Sequence, residues 1–214
     1  RSATHVRPQR LMKTLFTDEA YVKANVDEAR LMRRLFDLAC NMQSHDTDMQ
    51  LYSLFTDEEC YDLWSCNNLY WYLTHACSPV TDGLMPYREA DLLRNILDRA
   101  DAALKEGKNQ ATLRFGHESC LLPLVALLEL NHYGESYPDV EKLSEQWRAY
   151  DIFPMASNVQ FVFFHKKGSN DVLVKVLLNE KEAKLPVKTD VAPYYHWKDV
   201  ESYYREKLDK YQHI

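Results

Sequence analysis

Apolar residues recur at helical spacing through the first half of the chain. In VDEARLMRRLFDLACNMQ, Leu31, Leu35, Leu38 and Met42 share one face, while Arg30, Arg33, Arg34 and Asp37 lie mostly off it, which predicts an amphipathic helix. Asn25 followed by Glu28 has the spacing of a capping box at its start. A second box, Thr56 with Glu59, opens TDEECYDLWSCNNLYWYLTHA, where Cys60, Leu63, Trp64, Asn67 and Trp71 recur with the same period. SPVTDGLMP then breaks the pattern. Pro86 suits the first turn of the next helix, whose buried stripe is Ala90, Leu93, Ile96, Leu97 and Ala100, with Gly107 as its stop.

The pattern changes after Gly107. ATLRF reads as a short strand running into Gly116, His117 and Glu118, and LLPLVALLEL reads as a buried helix. Strand, tight turn and helix in that order place reactive groups at the carboxyl edge of an α/β sheet. NVQFVFFHK and DVLVKVLLN, separated by Lys167, Gly168, Ser169 and Asn170, predict a hairpin. WKDVESYYREKLDKY predicts a closing amphipathic helix. The expected organisation is therefore α/β with a large helical part. Residues 1–107 form a helical cap region and the helix leading out of it, and residues 108–214 form part of an α/β core.

Composition narrows the function classes. With 214 residues, 46% hydrophobic and 27% charged, the chain can bury a sizeable core. No apolar run is long enough for a membrane span. A net charge of −6 argues against a nucleic-acid partner. It leaves room for an anionic ligand at a local basic cluster, and Arg7, Arg10, Lys13, Lys23, Arg30, Arg33 and Arg34 supply one in the sequence. The five cysteines, Cys40, Cys60, Cys66, Cys77 and Cys120, form no CxxC pair, so buried free thiols are the default and a Cys66–Cys77 disulfide stays open.

His117 and Glu118 are the best chemical pair. They follow a glycine that lets an anion approach the backbone, and they precede a helix whose N-terminus favours phosphate. An imidazolium there stabilises charge on a transferred phosphoryl group, and a neighbouring carboxylic acid can protonate a leaving alcohol. Adjacent strand residues point to opposite faces and no HExxH spacing follows, so a metal site has no support. His75, His132, His165 and His196 each read as isolated surface or hydrogen-bonded histidines. No GxSxG elbow, Walker A loop or GxGxxG turn occurs.

TLRFGHESCLLPLVALLEL resembles the second signature of the histidine acid phosphatases, and is most similar to the multiple inositol-polyphosphate phosphatase branch, whose pattern runs FGH-x-E-x-LLPL. FPMASNVQFVFFHKK resembles a P-x-ASN-x-x-FV-x-x-x-H run of that branch, and VKVLLNEKEAKLP carries its LLNE. LYSLFTDEECYDL and NNLYWYL resemble its helical domain. The resemblance implies a partial histidine-phosphatase sheet containing only the late strands, with flanking helices. It implies hydrolysis of inositol polyphosphates or other phosphomonoesters, no cofactor, and a secreted, periplasmic or secretory-lumen location.

Two departures shape the expected site. In that branch the acid stands two places after the histidine, where this chain has Ser119, so Glu118 is the proton donor by position and Ser119 a phosphate-binding candidate. The family's nucleophile is the histidine of an RHGxRxP segment, and no Arg-His-Gly occurs in this chain. The resemblance thus implies that the nucleophile belongs to an N-terminal segment outside these residues, and that the 214 residues alone are inactive. Arg10, Lys13 and Arg114 are expected substrate contacts, although strand alternation could turn Arg114 away. An unpaired edge at ATLRF implies self-association or pairing with such a segment. The alternative is a non-catalytic phosphate-binding or interaction protein that keeps the corner without a nucleophile.

Overall fold

The computed structural model describes residues 5–108 and 110–211. Its contacts divide the chain into two compact units, Arg1–Tyr70 and Trp71–Ile214, with the boundary inside a long helix.

The first unit holds helices α1 (Gln9–Leu15), α2 (Glu19–Asn25), α3 (Glu28–Asn41) and most of α4 (Asp57–His75). The Thr56–Glu59 box forms as expected: Thr56 N donates to Glu59 Oε2 at 3.0 Å and Glu59 N to Thr56 Oγ1 at 3.2 Å. The Asn25–Glu28 box does not. Asp27 caps α3, accepting from Arg30 N at 3.0 Å, while Asn25 ends α2 and donates its side-chain amide to Tyr21 O. A carboxylate one residue before the helix outcompetes an amide that α2 has already absorbed.

Leu11, Met12, Val22, Met32, Ala39, Phe55 and Leu63 make the core of this unit. The buried face of α3 is centred on Met32 and Ala39, one residue along from the expected stripe, and Leu38 is 52% exposed. Phe36 explains the shift, since its ring meets those of Tyr52 and Phe55 edge-on. Along α4 the buried line is Leu63, Ser65, Asn68, Tyr72 and His75, more polar than the apolar pattern predicted, and Asn67 is exposed.

The second unit centres on two helices, α5 (Ala90–Glu106) and α6 (Glu118–Leu127), with short helices α7 (Leu143–Gln146) and α8 (Ala149–Ile152). A 3₁₀ turn, Met85–Glu89, carries Pro86 in its first turn and leads into α5. Gly107, at φ 64°, ends α5 in the left-handed region that glycine adopts at no steric cost. Leu93 and Leu97 are fully buried, as the stripe predicted.

The sheet then follows: β1 (Val159–His165), β2 (Val172–Leu178), β3 (Lys181–Glu182) and β4 (Tyr195–His196). The predicted hairpin is present, antiparallel from Val159↔Leu178 to His165↔Val172, and β3 and β4 both pair with β2. Val174, Val176 and Leu178 point into the core, with Lys175 on the other face reaching Glu182. Alternation at period 2 makes such a hairpin legible from sequence.

Helix α9 (Trp197–Lys210) closes the chain on α5. Trp197 Nε1 donates to Asp101, Arg205 donates to Asp98 and Asp101, and Arg94 donates to Leu208 O. The same helix secures the C-terminal end of α6: Tyr204 Oη donates to Leu128 O and Lys207 Nζ to Leu127 O, both at 2.7 Å. These are carbonyls that a helix end leaves without partners. Glu129 and Asn131 then take left-handed conformations, and Asn131 exchanges two 2.9 Å bonds with the backbone of Lys184. A Cβ on Gly134 would stand 2.9 Å from Glu129 Cα, so only glycine fits there. Within α6, Pro123 has no N–H for the carbonyl four residues back, that of Ser119.

ATLRF is not a strand. Among the described residues no strand pairs with residues 110–116, and Leu113 and Phe115 are 76% and 93% exposed. Strand propensity marks what a sheet would accept, whereas a strand exists only with a hydrogen-bonded neighbour. All five cysteines are free, which excludes the Cys66–Cys77 disulfide, but Cys40 and Cys120 are exposed rather than buried. Among the described residues no helix is long and apolar enough to cross a membrane.

Candidate active site

The candidate site is built on the N-terminus of α6. Its residues Leu122–Leu127 are buried, and burying each leucine contributes roughly 1.5–3 kcal/mol, so the helix is fixed by its apolar body. Its first turn is exposed from His117 to Cys120. His117 is the N-cap residue, with φ −113° and ψ 164°, and its carbonyl accepts from Cys120 N and Leu121 N. Its imidazole makes no capping hydrogen bond. The leading N–H groups of a helix have no carbonyl partners within it, and the helix dipole adds partial positive charge. Open space surrounds the position a Cβ would take on Gly116.

The 3₁₀ turn Met85–Glu89 packs along α6. Burial raises the Glu89 carboxyl above its usual range, opposed by the charge of Arg88 and by a hydrogen bond with Cys120 in the first turn of α6. His75, at the end of α4, is 8% exposed, with Nδ1 2.7 Å from Thr74 Oγ1 and its ring 4.7 Å from that of Trp71. Burial lowers its pKa and Arg88 lowers it further, while the Glu118 carboxylate pulls it back up. His75 is thus held toward the neutral form, within electrostatic reach of both Arg88 and Glu118.

The profile of the histidine phosphatase superfamily (branch 2) matches residues 5–179. The chain belongs to that family. It is 28% identical over 134 residues to human (Homo sapiens) multiple inositol polyphosphate phosphatase 1, covering 56% of this chain and 27% of the human protein. Among solved structures it is similar to the multiple inositol polyphosphate phosphatase of Bifidobacterium longum. The phosphate complex of that enzyme gives a TM-score of 0.71 at 22% identity, covering 85% of this chain and 40% of the bacterial one. Its complex with inositol hexasulfate gives 0.67 at 22% identity, covering 82% and 38%. The fold is that of a histidine phosphatase, here helices with a small antiparallel sheet. The chain spans between about a quarter and two fifths of the length of these relatives.

In this branch-2 chain, His117, Glu118 and Ser119 stand together at one exposed corner. Arg114 lies just before it and donates to Asn95 Oδ1 at 2.8 Å, which draws it toward α5. Arg10 belongs to the first unit. Its Nε and Nη2 hold Glu59 at 2.8 and 2.5 Å, and Nη2 also reaches Leu54 O. That pairing raises the Arg10 pKa and lowers that of Glu59. Lys13 is 3.7 Å from Glu19. Arg7 and Arg34, also of the basic cluster, face Glu58 and Asp37 respectively.

The other three histidines that the sequence singled out have structural partners: His165 meets Ser169 O, His132 packs on Tyr133, and His196 lies between Asp171 and Asp190. Among the described residues no three His, Cys, Asp or Glu side chains cluster as metal ligands do. Two of the motif matches meet directly. Asn179 N donates to Asn158 O at 2.8 Å, and Asn158 N to Asn179 Oδ1 at 3.1 Å. The ASN and LLNE runs thus carry a corner lock of the sheet.

The neighbourhood of His75, Arg88 and Glu89 was not legible in the sequence. These residues stand about 30 to 40 positions before His117, and it is the packing of the 3₁₀ turn on α6 that carries Arg88 and Glu89 toward it.

Proposed function

We propose that this chain supplies the phosphate-binding and proton-donating corner of a phosphatase acting on inositol polyphosphates, or on closely related phosphomonoesters. In the catalytic cycle an imidazole nitrogen from an Arg-His-Gly segment, absent from these residues, forms a bond to phosphorus. The bond between phosphorus and the ester oxygen breaks as Glu118 gives that oxygen its proton. Water then attacks the phosphohistidine, Glu118 takes the proton back, and inorganic phosphate leaves. His117 and the first-turn N–H groups of α6 hold the equatorial oxygens, assisted by Ser119 and Arg114. Arg10 and Lys13 are the proposed contacts for peripheral phosphates from the helical cap region, residues 1–107. No metal or cofactor enters this scheme.

The observation that supports this reading is a solvent-facing His117, free of capping bonds, at a helix N-terminus that lies within the family match and resembles the family's second signature. A secreted, periplasmic or secretory-lumen setting is part of the proposal. So is association through the unpaired 110–116 segment, either with a second copy or with the segment that bears the nucleophile.

Phosphate release from inositol hexakisphosphate at mildly acidic pH tests the scheme. The expected result is no turnover by the 214 residues alone. Turnover should appear when the corresponding N-terminal segment of a relative is supplied, and His117→Ala should abolish it. Turnover by the chain alone would overturn the account of the nucleophile. Tight binding of the ester without turnover under either condition would favour a non-catalytic phosphate-binding protein.

A further inference from the structure

The arginines of the second unit are mostly committed. Arg94, Arg114, Arg148 and Arg205 each donate to a carboxylate, an amide oxygen or a carbonyl. Arg88 is exposed and, among the described residues, makes no hydrogen bond or ion pair. Its place is set by the 3₁₀ turn that packs along α6, and its neighbour Glu89 hydrogen-bonds Cys120 one turn from His117. Arg88 and Glu118 both act electrostatically on His75 at the end of α4. Two acidic side chains, Glu89 and Glu118, flank the His117 corner, and an uncommitted guanidinium is the group there that can attract a polyanion. Its planar fork can also hold a phosphate through two parallel hydrogen bonds, which an ammonium cannot do.

We propose that Arg88 determines specificity by gripping a second phosphate of a polyphosphorylated ring whose first phosphate occupies the His117 corner. The inference rests on the phosphatase reading of that corner and adds to it a preference for vicinally phosphorylated substrates over simple monoesters. Arg99 serves as the internal comparison, because it is exposed on α5 and likewise makes no hydrogen bond or ion pair among the described residues.

The test is calorimetric titration of the 214-residue chain with inositol hexakisphosphate and, separately, with inorganic phosphate. The proteins are wild type, Arg88→Ala, Arg88→Lys, Arg99→Ala and His117→Ala, each first shown to keep the wild-type melting temperature. Loss of one charge-assisted bidentate contact weakens binding about tenfold. Arg88→Ala should lose about that factor for the hexakisphosphate and less than about twofold for inorganic phosphate, while Arg99→Ala changes neither. Arg88→Lys should recover only part of the loss. His117→Ala should weaken both ligands. If His117→Ala weakens binding and Arg88→Ala does not, the Arg88 proposal is overturned and the corner reading stands. An equal loss for both ligands in Arg88→Ala also overturns it, since general charge rather than a second phosphate would then be at work. If wild type binds neither ligand, both readings fall.

Discussion

Tyr204→Phe isolates a single hydrogen bond that secures the helix bearing the candidate site. The Tyr204 side chain is fully buried, and its hydroxyl donates to Leu128 O at 2.7 Å. Burial also raises the phenol pKa well above its usual value, so the proton stays in place across any ordinary buffer. Phenylalanine keeps the ring and its packing but leaves the carbonyl dry and without a donor. A buried acceptor left in that state costs about 1–3 kcal/mol. At about 2–4 °C per kcal/mol for a chain of this size, the melting temperature should fall by roughly 2–12 °C. Urea unfolding followed by circular dichroism should show a lower midpoint with an unchanged slope. Tyr21→Phe, at a 54% exposed position, is the control and should stay within about 0.5 kcal/mol of wild type. A Tyr204→Phe midpoint indistinguishable from wild type would refute the assignment of this bond as a fastening of α6.

Three further outcomes are expected. Hydrogen bonds that the His196 ring donates to Asp171 and then to Asp190 raise its folded-state pKa, so its contribution is complete below the unfolded value of about 6.5 and is lost as pH climbs through the folded one. The gap in urea midpoint between wild type and His196→Gln should therefore be wider at pH 6 than at pH 8.5, and an equal gap at both would contradict the assigned pairing. Burial pushes the Cys77 thiol up to about 11, leaving on the order of one thiolate in a thousand at pH 8. Iodoacetamide should accordingly label exposed Cys40 and Cys120 first and Cys77 last, as read by peptide mass spectrometry; early labelling of Cys77 would sink the argument. Gly134→Ala forces a methyl against the backbone of Glu129 and should destabilise by about 1–3 kcal/mol in thermal melts, whereas an unshifted transition would show that the segment yields.

The sequence exposed those parts of the fold in which a local rule matched the final environment. Val172–Leu178 alternates because one face meets the core and the other meets water, and Thr56–Glu59 caps because both partners lie within one turn. Met32 displaced the expected stripe of α3 because aromatic contacts from Tyr52 and Phe55 rotate what that helix buries. ATLRF misled because its composition describes an environment and not the presence of a partner. At the candidate site, His117 and Glu118 were visible through a contiguous motif. His75, Arg88 and Glu89 were not, since a histidine or arginine carries no sign in its own neighbourhood of what will pack beside it.

Pro123 leaves the Ser119 carbonyl without the strut that would tie the first turn of α6 to its buried body. Unravelling of that turn is thereby uncoupled, in part, from melting of the rest. The amides of Cys120 and Leu121 should trade hydrogen for deuterium far sooner than those of Val125 and Leu127. The residues that would meet a ligand thus sit on the part of α6 expected to open first, ahead of its buried body.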